Sequence, residues 1–277
     1  MRYIVALSLC LTLSGCSNLF FYPYKNHLQT PSAYALPYED IQLTAKDGTQ
    51  LHAWFLPTSQ KLKGSVLYLH GNAENISTHI YNIRWLPKAG YQVLLLDYRG
   101  FGQSDGIPKL PDIFLDIDAA VDWMSTSVQI QQKPFFILGQ SIGASLMLHD
   151  AARHTNNPRL CGLVSDAAFT RYRDIARHVT QQSWITWPLH FPVFWSAYDQ
   201  YDPIAGLDSL SHTPILFFHS KDDRIIPFSN LDLLVSNHNG YHQRVATNGP
   251  HTATFMNNDN RQILLKFLEN QNCLNTE

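Results

Sequence analysis

The sequence predicts an α/β fold with a mostly parallel central sheet, helices on both faces and a short lid insertion. Apolar runs that suit buried strands alternate with helical patterns through most of the 277 residues, as in a parallel sheet covered on both faces. One run, 135–138, leads directly into Gly139-Gln140-Ser141-Ile142-Gly143 and then into a helical pattern over 144–152. Later runs end in polar loops, where functional side chains gather in such sheets. The length suits one domain of this class.

The first residues, 1–15, are predicted to be a signal peptide outside the fold. Arg2 supplies a short basic region, and the apolar stretch Ile4–Leu13 is too short to span a bilayer. Leu13-Ser14-Gly15-Cys16 resembles the bacterial lipobox, in which the cysteine becomes the lipidated first residue, and Ser17 favours the outer membrane. We expect a palmitate-type anchor on Cys16, at the outer membrane and facing the periplasm. An ordinary signal peptide with a chance cysteine stays open.

The mature chain is expected to begin with a lipidated tether over 16–37, rich in aromatic residues, Pro and Ser, followed by one domain over 38–277. Two alternating segments flank Asp47-Gly48, which predicts a hairpin of antiparallel edge strands. The later strands are continuous apolar runs, typical of strands buried in a parallel sheet. In chain order, strands are predicted at 41–44, 51–55, 66–69, 91–96, 135–138, 160–165, 215–218 and 243–245.

Helices are predicted where apolar residues recur at helical spacing between these strands. The first stops near Ala89-Gly90. The second carries Asp112, Asp116 and Asp118 towards its start, where the helix dipole favours acidic side chains. The predicted helices cover 75–86, 113–124, 144–152, 231–235 and 263–268.

The alternation of strand and helix lapses over about 167–213, the expected lid. This segment is compatible with plain packing of an insertion against the domain, and also with a lid whose aromatic side chains line an apolar pocket. Its distinguishing residues are Trp184, Trp187, Phe191, Phe194 and Trp195, set among Pro188 and Pro192.

The four cysteines separate by position. Cys10 leaves with the signal peptide and Cys16 takes the lipid, so Cys161 and Cys273 remain in an oxidising compartment. A disulfide between them stays open. Because Cys161 opens a buried strand and Cys273 lies in the tail, an inert buried thiol at Cys161 is favoured.

The composition narrows the classes of partner. Charged residues make up 15% of the chain and the net charge is −2, which gives no support for a nucleic-acid surface. Histidines and carboxylates do not cluster at ligand spacing, so neither a metal nor a cofactor is expected. The oligomeric state is not indicated.

Ser141 stands in a pattern typical of a nucleophile on a sharp strand-to-helix turn. Strand and helix pass closest at Gly139 and Gly143, whose missing side chains permit the turn. The turn lifts the serine out of the sheet and aims the first free N–H groups of the helix at the same point. A packing turn with an incidental serine is the alternative.

A serine nucleophile needs a base and an acid that orients the base. Among the late histidines, His251 lies in a loop beyond the last strand, whereas His238 ends a helix and His242 begins that strand. The base is therefore His251. The acid follows one of two strands, either in the Asp222-Asp223 pair or at Asp166. Asp97 precedes the serine, which does not suit the order serine, acid, histidine, and is interpreted as a turn residue.

Several motifs together resemble the α/β-hydrolase superfamily, and within it the group of serine aminopeptidases and ABHD-type acyl hydrolases. In that pattern the acid stands four positions before a proline, here Pro227, which implies Asp223. The resemblance also implies oxyanion N–H groups from Asn72 and Ile142. Glu74 stands where relatives often have Gly, which would narrow the pocket mouth. The matching stretches, within about 41–268, are His70–Asn75, Asp97–Ser104, Gly139–Gly143, Tyr201–Pro203, His219–Pro227 and Pro250-His251.

These patterns predict a serine hydrolase of the carboxylesterase or thioesterase kind, acting on a small-molecule or lipid acyl substrate through Ser141, Asp223 and His251. An ester or thioester is favoured over a peptide because the lid is apolar and no charged specificity element stands out. A peptidase of the aminopeptidase kind is one alternative. A catalytically silent envelope binding protein with this fold is the other, and the complete triad argues against it.

Overall fold

The computed structural model describes residues 20–130, 133–181 and 199–271, and these form an α/β fold around an eight-stranded sheet. The strand order is β1-β2-β4-β3-β5-β6-β7-β8. The strands are β1 (Glu39–Thr44), β2 (Gln50–Leu56), β3 (Gly64–Leu69), β4 (Tyr91–Asp97), β5 (Phe135–Gln140), β6 (Leu160–Asp166), β7 (Ile215–Ser220) and β8 (His242–Thr247).

The predicted mostly parallel sheet is confirmed. Every neighbouring pair from β4 through β8 is parallel, while β1 and β2 form the expected antiparallel hairpin. The prediction that both hairpin strands are edges was wrong for β2, because its other side pairs with β4, bringing His52 opposite Asp97. Only β1 is an edge strand of this pair, and β2 is accordingly buried along most of its length.

Helices cover both faces of the sheet, as predicted, with shifted ends. The first begins after Asn75, whose side chain accepts a hydrogen bond from the Ser77 N–H. It ends at Ile83, four residues before Pro87, which cannot stand inside a helix without breaking it. The helices of the described residues are α1 (Ile76–Ile83), α2 (Ile113–Thr126), α3 (Ile142–Asp150), α4 (Tyr172–Gln181), α5 (Pro203–Gly206), α6 (Ser229–Ser236) and α7 (Asn258–Asn270).

The core lies in two layers, one on each face of the sheet. Along β5 the side chains of Phe135 and Ile137 enter one layer, and those of Phe136 and Leu138 enter the other. Alternate residues of a strand point to opposite faces, so a strand covered on both faces needs apolar residues at every position. This explains the continuous apolar runs in the sequence.

A buried ion pair fixes the loop after β4 to α2. Arg99 Nε and Nη2 donate to Asp116 Oδ1 at 2.9 and 2.7 Å, and the Arg99 backbone N–H donates to Asp116 Oδ2 at 2.8 Å. Arg99 Nη1 also donates to Asp47 Oδ2 in the hairpin turn. Asp116 is therefore a partner of Arg99, a more specific role than the helix-dipole preference that the sequence suggested.

The segment 20–37 differs from the expected tether, because it packs against the domain. Phe21 and Leu36 are 4% and 5% exposed and belong to the two core layers. The His27 ring donates through Nε2 to Asp97 Oδ2 at 2.8 Å, and neither side chain is exposed by more than 8%. Burial acts to raise the pKa of Asp97, but the hydrogen bonds from His27 and His52 hold that pKa at about 2. Asp97 is thus a buried anchor for this segment rather than a simple turn residue.

Cys161 is disulfide-bonded, so the favoured interpretation as a free buried thiol was wrong. Its side chain is buried at the start of β6, but burial did not exclude a bond. The other cysteines, at positions 10, 16 and 273, lie outside the described residues.

Two other predictions fall outside the described residues, one wholly and one in part. The signal peptide and the lipobox lie before residue 20, and the five lid aromatics lie within 182–198. The described flanks of the expected lid contain α4 and α5, with Tyr172 of α4 packed edge-to-face against Phe20 and Phe169. Among the described residues, none of the helices combines the length and apolar character needed to cross a bilayer.

The Arg99–Asp116 pair gives a stability prediction. Arg99→Met leaves the Asp116 carboxylate buried without its partner, so the free energy of unfolding should fall by about 3–5 kcal/mol. Arg244→Met is the matched control, since Arg244 and Asp232 form an ion pair with side chains 40% and 59% exposed and such pairs contribute about 0–1 kcal/mol. Urea denaturation measures both; equal losses would contradict the assigned role of Asp116.

Candidate active site

Ser141 occupies the sharp turn between β5 and α3. Its backbone has φ 56° and ψ −122°, a conformation that strains any residue with a side chain. A Cβ on Gly139 would lie 2.5 Å from the Ala144 Cα, and a Cβ on Gly143 would lie 2.2 Å from the Leu69 carbonyl oxygen. Glycine is therefore required at both positions. Gly139 lets β5 pass close to α3, and Gly143 lets α3 pass close to the end of β3.

The structure brings Ser141, His251 and Asp223 together in one hydrogen-bonded line. His251 Nδ1 lies 2.6 Å from Asp223 Oδ2, and His251 Nε2 lies 2.9 Å from Ser141 Oγ. An ionised carboxylate can only accept, so Nδ1 carries the proton and Nε2 accepts from the serine hydroxyl. These contacts join the ends of β5, β7 and β8, because the carboxyl ends of parallel strands meet at one sheet edge.

The Asp223 carboxylate is held by the loop that follows β7. Its side chain is fully buried, and its Oδ1 accepts from the backbone N–H groups of Ile225 and Ile226 at 2.8 and 2.9 Å. Burial acts to raise the pKa of Asp223, but His251 and these two donors outweigh it, so the pKa lies below its ordinary value. Asp223 therefore presents a charged oxygen to the imidazole.

The neighbouring Asp222 points elsewhere. It is exposed, and its Oδ2 accepts from the Gly249 backbone N–H at 2.9 Å, two residues before His251. The same loop is held from the strand side by Ser220, whose hydroxyl donates to the Gly249 carbonyl. Asp222 thus supports the histidine loop without touching the histidine ring.

Asp166, the rival acid, belongs to a separate buried network. Its Oδ1 accepts from Thr254 Oγ1 at 2.7 Å and its Oδ2 accepts from Gln140 Nε2 at 2.8 Å. Burial raises the pKa of Asp166 to about 6, against the lowering effect of those two hydrogen bonds. With one oxygen bound to Thr254 and the other to Gln140, this carboxyl group is not placed to orient the imidazole.

Gln140 is a residue that the sequence analysis missed. Its side chain is fully buried and uses its complete hydrogen-bonding capacity: Oε1 accepts from Tyr68 Oη and Asn82 Nδ2 at 2.6 and 2.7 Å. Nε2 donates to Asp166 and to the Thr252 carbonyl oxygen at 3.0 Å. The residue before the nucleophile thereby ties the elbow to the residue after His251. The signal available in the sequence was a polar residue at the end of an apolar strand.

The first helical residue, Ile142, presents its backbone N–H at the N-terminus of α3, where such groups have no partner within the helix. The loop after β3 passes beside the nucleophile, since a Cβ on Gly71 would lie 3.4 Å from the Ser141 Cβ. Asn72 follows, and its side-chain Oδ1 accepts from the backbone N–H groups of Tyr22 and Ala73 at 2.9 and 2.8 Å. Ile142 therefore lies in the elbow itself, and Asn72 lies in the loop that passes beside it.

The loop of residues 70–75, which we call the oxyanion loop after its expected role, has a strained backbone and is held by neighbouring side chains. Ala73 and Glu74 both have positive φ, at 64° and 57°, so Glu74 stands where a glycine would relax the backbone. His79 Nε2 donates to the Ala73 carbonyl oxygen at 3.3 Å. His70 is fully buried, and this burial lowers its pKa to about 3, so a neutral imidazole lies beneath the loop at neutral pH.

Two clusters of the described residues bring three potential metal-ligating side chains together. One contains His27, His52 and Asp97, and the other contains Asp118, Asp150 and His154. The members of each cluster hydrogen-bond to one another or to nearby side chains, as in the 3.0 Å contact from His154 to Asp150. Neither cluster includes Ser141, His251 or Asp223.

Sequence comparison finds related chains. The family described as "Serine aminopeptidase, S33" matches residues 60–192. The protein YfhR of Salmonella typhi is 29% identical over 244 residues, which cover 84% of this chain and 79% of that protein.

Solved structures with the same architecture include two esterases. The Pyrococcus furiosus esterase Pf2001 superposes with a TM-score of 0.73 at 20% identity, covering 91% of this chain and 97% of that chain. Acetyl xylan esterase 1 from Thermoanaerobacterium has a TM-score of 0.65 at 17% identity, covering 89% of this chain and 86% of that chain. These likenesses show that the chain has the α/β-hydrolase fold, and the family match supports a hydrolase.

Proposed function

We propose that this chain is a serine hydrolase that cleaves carboxylic esters or thioesters through an acyl-enzyme. The observation that carries the proposal is the unbroken hydrogen-bonded line from Ser141 Oγ through the His251 ring to Asp223 Oδ2, at 2.9 and 2.6 Å. Both distances are in the range that proton transfer and ring orientation require. A silent binding protein has no need for this alignment on a strained backbone.

In the proposed reaction the Ser141 oxygen attacks the acyl carbonyl carbon while its proton passes to His251 Nε2. The carbonyl oxygen becomes an oxyanion that accepts hydrogen bonds from the Asn72 and Ile142 N–H groups. Collapse breaks the bond to the leaving alcohol or thiol, which takes the proton from His251. Water then gives a proton to His251 Nε2, and its oxygen attacks the carbonyl carbon of the acyl-enzyme. Collapse of this second oxyanion breaks the bond to Ser141 Oγ, which regains a proton from His251 as the acid is released.

An ester or thioester is favoured over a peptide. The structural neighbours include esterases, which supports ester chemistry on this fold, whereas the family match includes aminopeptidases in its description. The discriminating observation is release of an amine from an aminoacyl anilide. Hydrolysis of p-nitrophenyl acetate without such release supports the ester assignment.

The first functional prediction concerns the nucleophile. Ser141→Ala should lower kcat for p-nitrophenyl acetate by about 10³-fold or more, because the acyl-enzyme can no longer form, and should abolish labelling by a fluorophosphonate. Ser59→Ala is the control, since Ser59 is an exposed loop serine. Wild-type turnover in Ser141→Ala at an unchanged Tm would remove the proposed mechanism.

A second prediction separates the adjacent acids. Asp223→Asn should lower kcat by about 10⁴-fold, since an amide favours the wrong imidazole tautomer. Asp222→Asn loses a loop contact to Gly249 and should cost about 1 kcal/mol of stability with little loss of rate. Steady-state kinetics on both variants, with Tm as a fold check, test this. Inactivity of Asp222→Asn alone would reverse the assignment, and inactivity of Asp166→Asn alone would transfer the role to β6.

We also propose that Cys16 carries a lipid that anchors the protein at the periplasmic face of the outer membrane, on the strength of Leu13-Ser14-Gly15-Cys16. Cys16→Ala should abolish metabolic labelling with a radioactive fatty acid, because no other residue of this motif offers a thiol. Cys10→Ala is the matched control and should label normally. An unlabelled wild-type protein would refute the anchor while leaving the hydrolase proposal intact.

A further inference from the structure

A groove of about 510 Å³ lies beside the oxyanion loop. This volume is within the range of small-molecule sites. Five of its lining residues come from the N-terminal segment and the sixth from the oxyanion loop itself: Phe21, Tyr22, Pro23, Tyr24, Leu28 and Glu74.

The groove is joined to the proposed catalytic site through the backbone. The Tyr22 N–H donates to Asn72 Oδ1 at 2.9 Å, and the Tyr24 N–H donates to the Glu74 carbonyl oxygen at 3.1 Å. Pro23 and Glu74 form a parallel β-bridge. One wall of the groove is therefore hydrogen-bonded to the loop that would bind the substrate's carbonyl oxygen.

That wall is fixed in place and does not depend on a ligand for its shape. Asn75 Nδ2 donates to the carbonyl oxygens of Tyr24 and Asn26 at 2.8 and 2.9 Å. The Leu28 N–H donates to Ser77 Oγ at 3.0 Å. A groove whose backbone is held at several points pays little ordering entropy when a ligand binds.

The chemistry of the lining suits a hydrocarbon chain. The side chains of Tyr22, Tyr24 and Leu28 are 59%, 44% and 62% exposed. Large apolar side chains that are grouped on a surface in this way mark binding sites. The carboxylate of Glu74 repels another carboxylate, so the groove should bind the acyl chain of a neutral ester more tightly than that of an ionised fatty acid. Release of the acid product is favoured for the same reason.

The position of the proposed anchor indicates where such a chain comes from. Four residues, 17–20, separate Cys16 from the groove-forming segment, and at full extension they span roughly 14 Å. A lipid on Cys16 therefore keeps the groove close to the bilayer surface, which is the local source of long acyl chains.

We propose that this groove binds the acyl chain of a long-chain ester while the ester carbonyl lies at Ser141. This inference rests on the proposed function, and adds a chain-length preference determined by the N-terminal segment. The occupant is an acyl chain of a membrane-derived ester, and its carbonyl end meets the oxyanion loop that forms part of the groove.

The experiment compares p-nitrophenyl decanoate with p-nitrophenyl acetate, using full-length protein in membranes and membranes carrying Ser141→Ala as the blank. The groove variants are Tyr24→Ser and Leu28→Ser, whose backbone hydrogen bonds remain. The matched controls are Tyr241→Ser and Val128→Ser, since these side chains are 58% and 85% exposed and do not line the groove. Active enzyme is counted by fluorophosphonate titration, and Tm is recorded for each variant.

Relative to wild type, each groove variant should lower the decanoate-to-acetate ratio of kcat/KM roughly tenfold, mainly through KM, because several methylene groups lose their apolar contact. The controls should keep the wild-type ratio. An unchanged ratio in both groove variants overturns the inference, and so does an equal fall for both esters. A lowered Tm with an unchanged ratio would mean that this chain's own residues fill the groove. Wild type that hydrolyses neither ester would instead refute the proposed function, and the inference with it.

Discussion

The whole arrangement depends on how closely α3 and β3 approach each other at the elbow. Gly143 lies so near the Leu69 carbonyl that a methyl group would enter its van der Waals radius. Because the helix can advance this far, its N-terminus meets the end of β5 and the loop after β3 at a single point. The strained Ser141 backbone follows from the same approach, since the chain must reverse direction within one residue. Without that contact, neither the serine nor the N–H groups would converge.

The second organising feature is the different state of two carboxyl groups at one sheet edge. Asp223 is surrounded by donors and keeps its charge, whereas burial moves the pKa of Asp166 towards neutrality. Sharing the edge would be unfavourable if both were charged, because like charges raise each other's pKa. The environment thus gives one carboxylate to the imidazole and leaves the other bound to Gln140 and Thr254 in a separate structural network.

The parts of the fold with strong periodicity could be predicted from the sequence, and the aperiodic parts could not. Continuous apolar runs indicated the strands because both faces of the sheet are covered, and the glycine spacing indicated the elbow. The segment 20–37 carries neither signal: its order comes from distant side chains, such as Asn75 and Ser77, that satisfy its backbone groups. The role of Gln140 could not be predicted for a related reason, because its hydrogen-bond partners lie on β3, α1 and β6.

The docking of the N-terminal segment also sets an order of events in time. Tyr22 and His27 are among the first residues of the domain to be synthesised, yet their partners Asn72 and Asp97 lie 50 and 70 residues further along the chain. Contacts of such sequence separation form late, because the intervening chain must first be brought together. The segment that is synthesised early is therefore among the last to be fixed in the fold. The loop of residues 70–75 receives its final support only after β3, α1 and β4 have assembled, so the site beside Ser141 is completed late in folding.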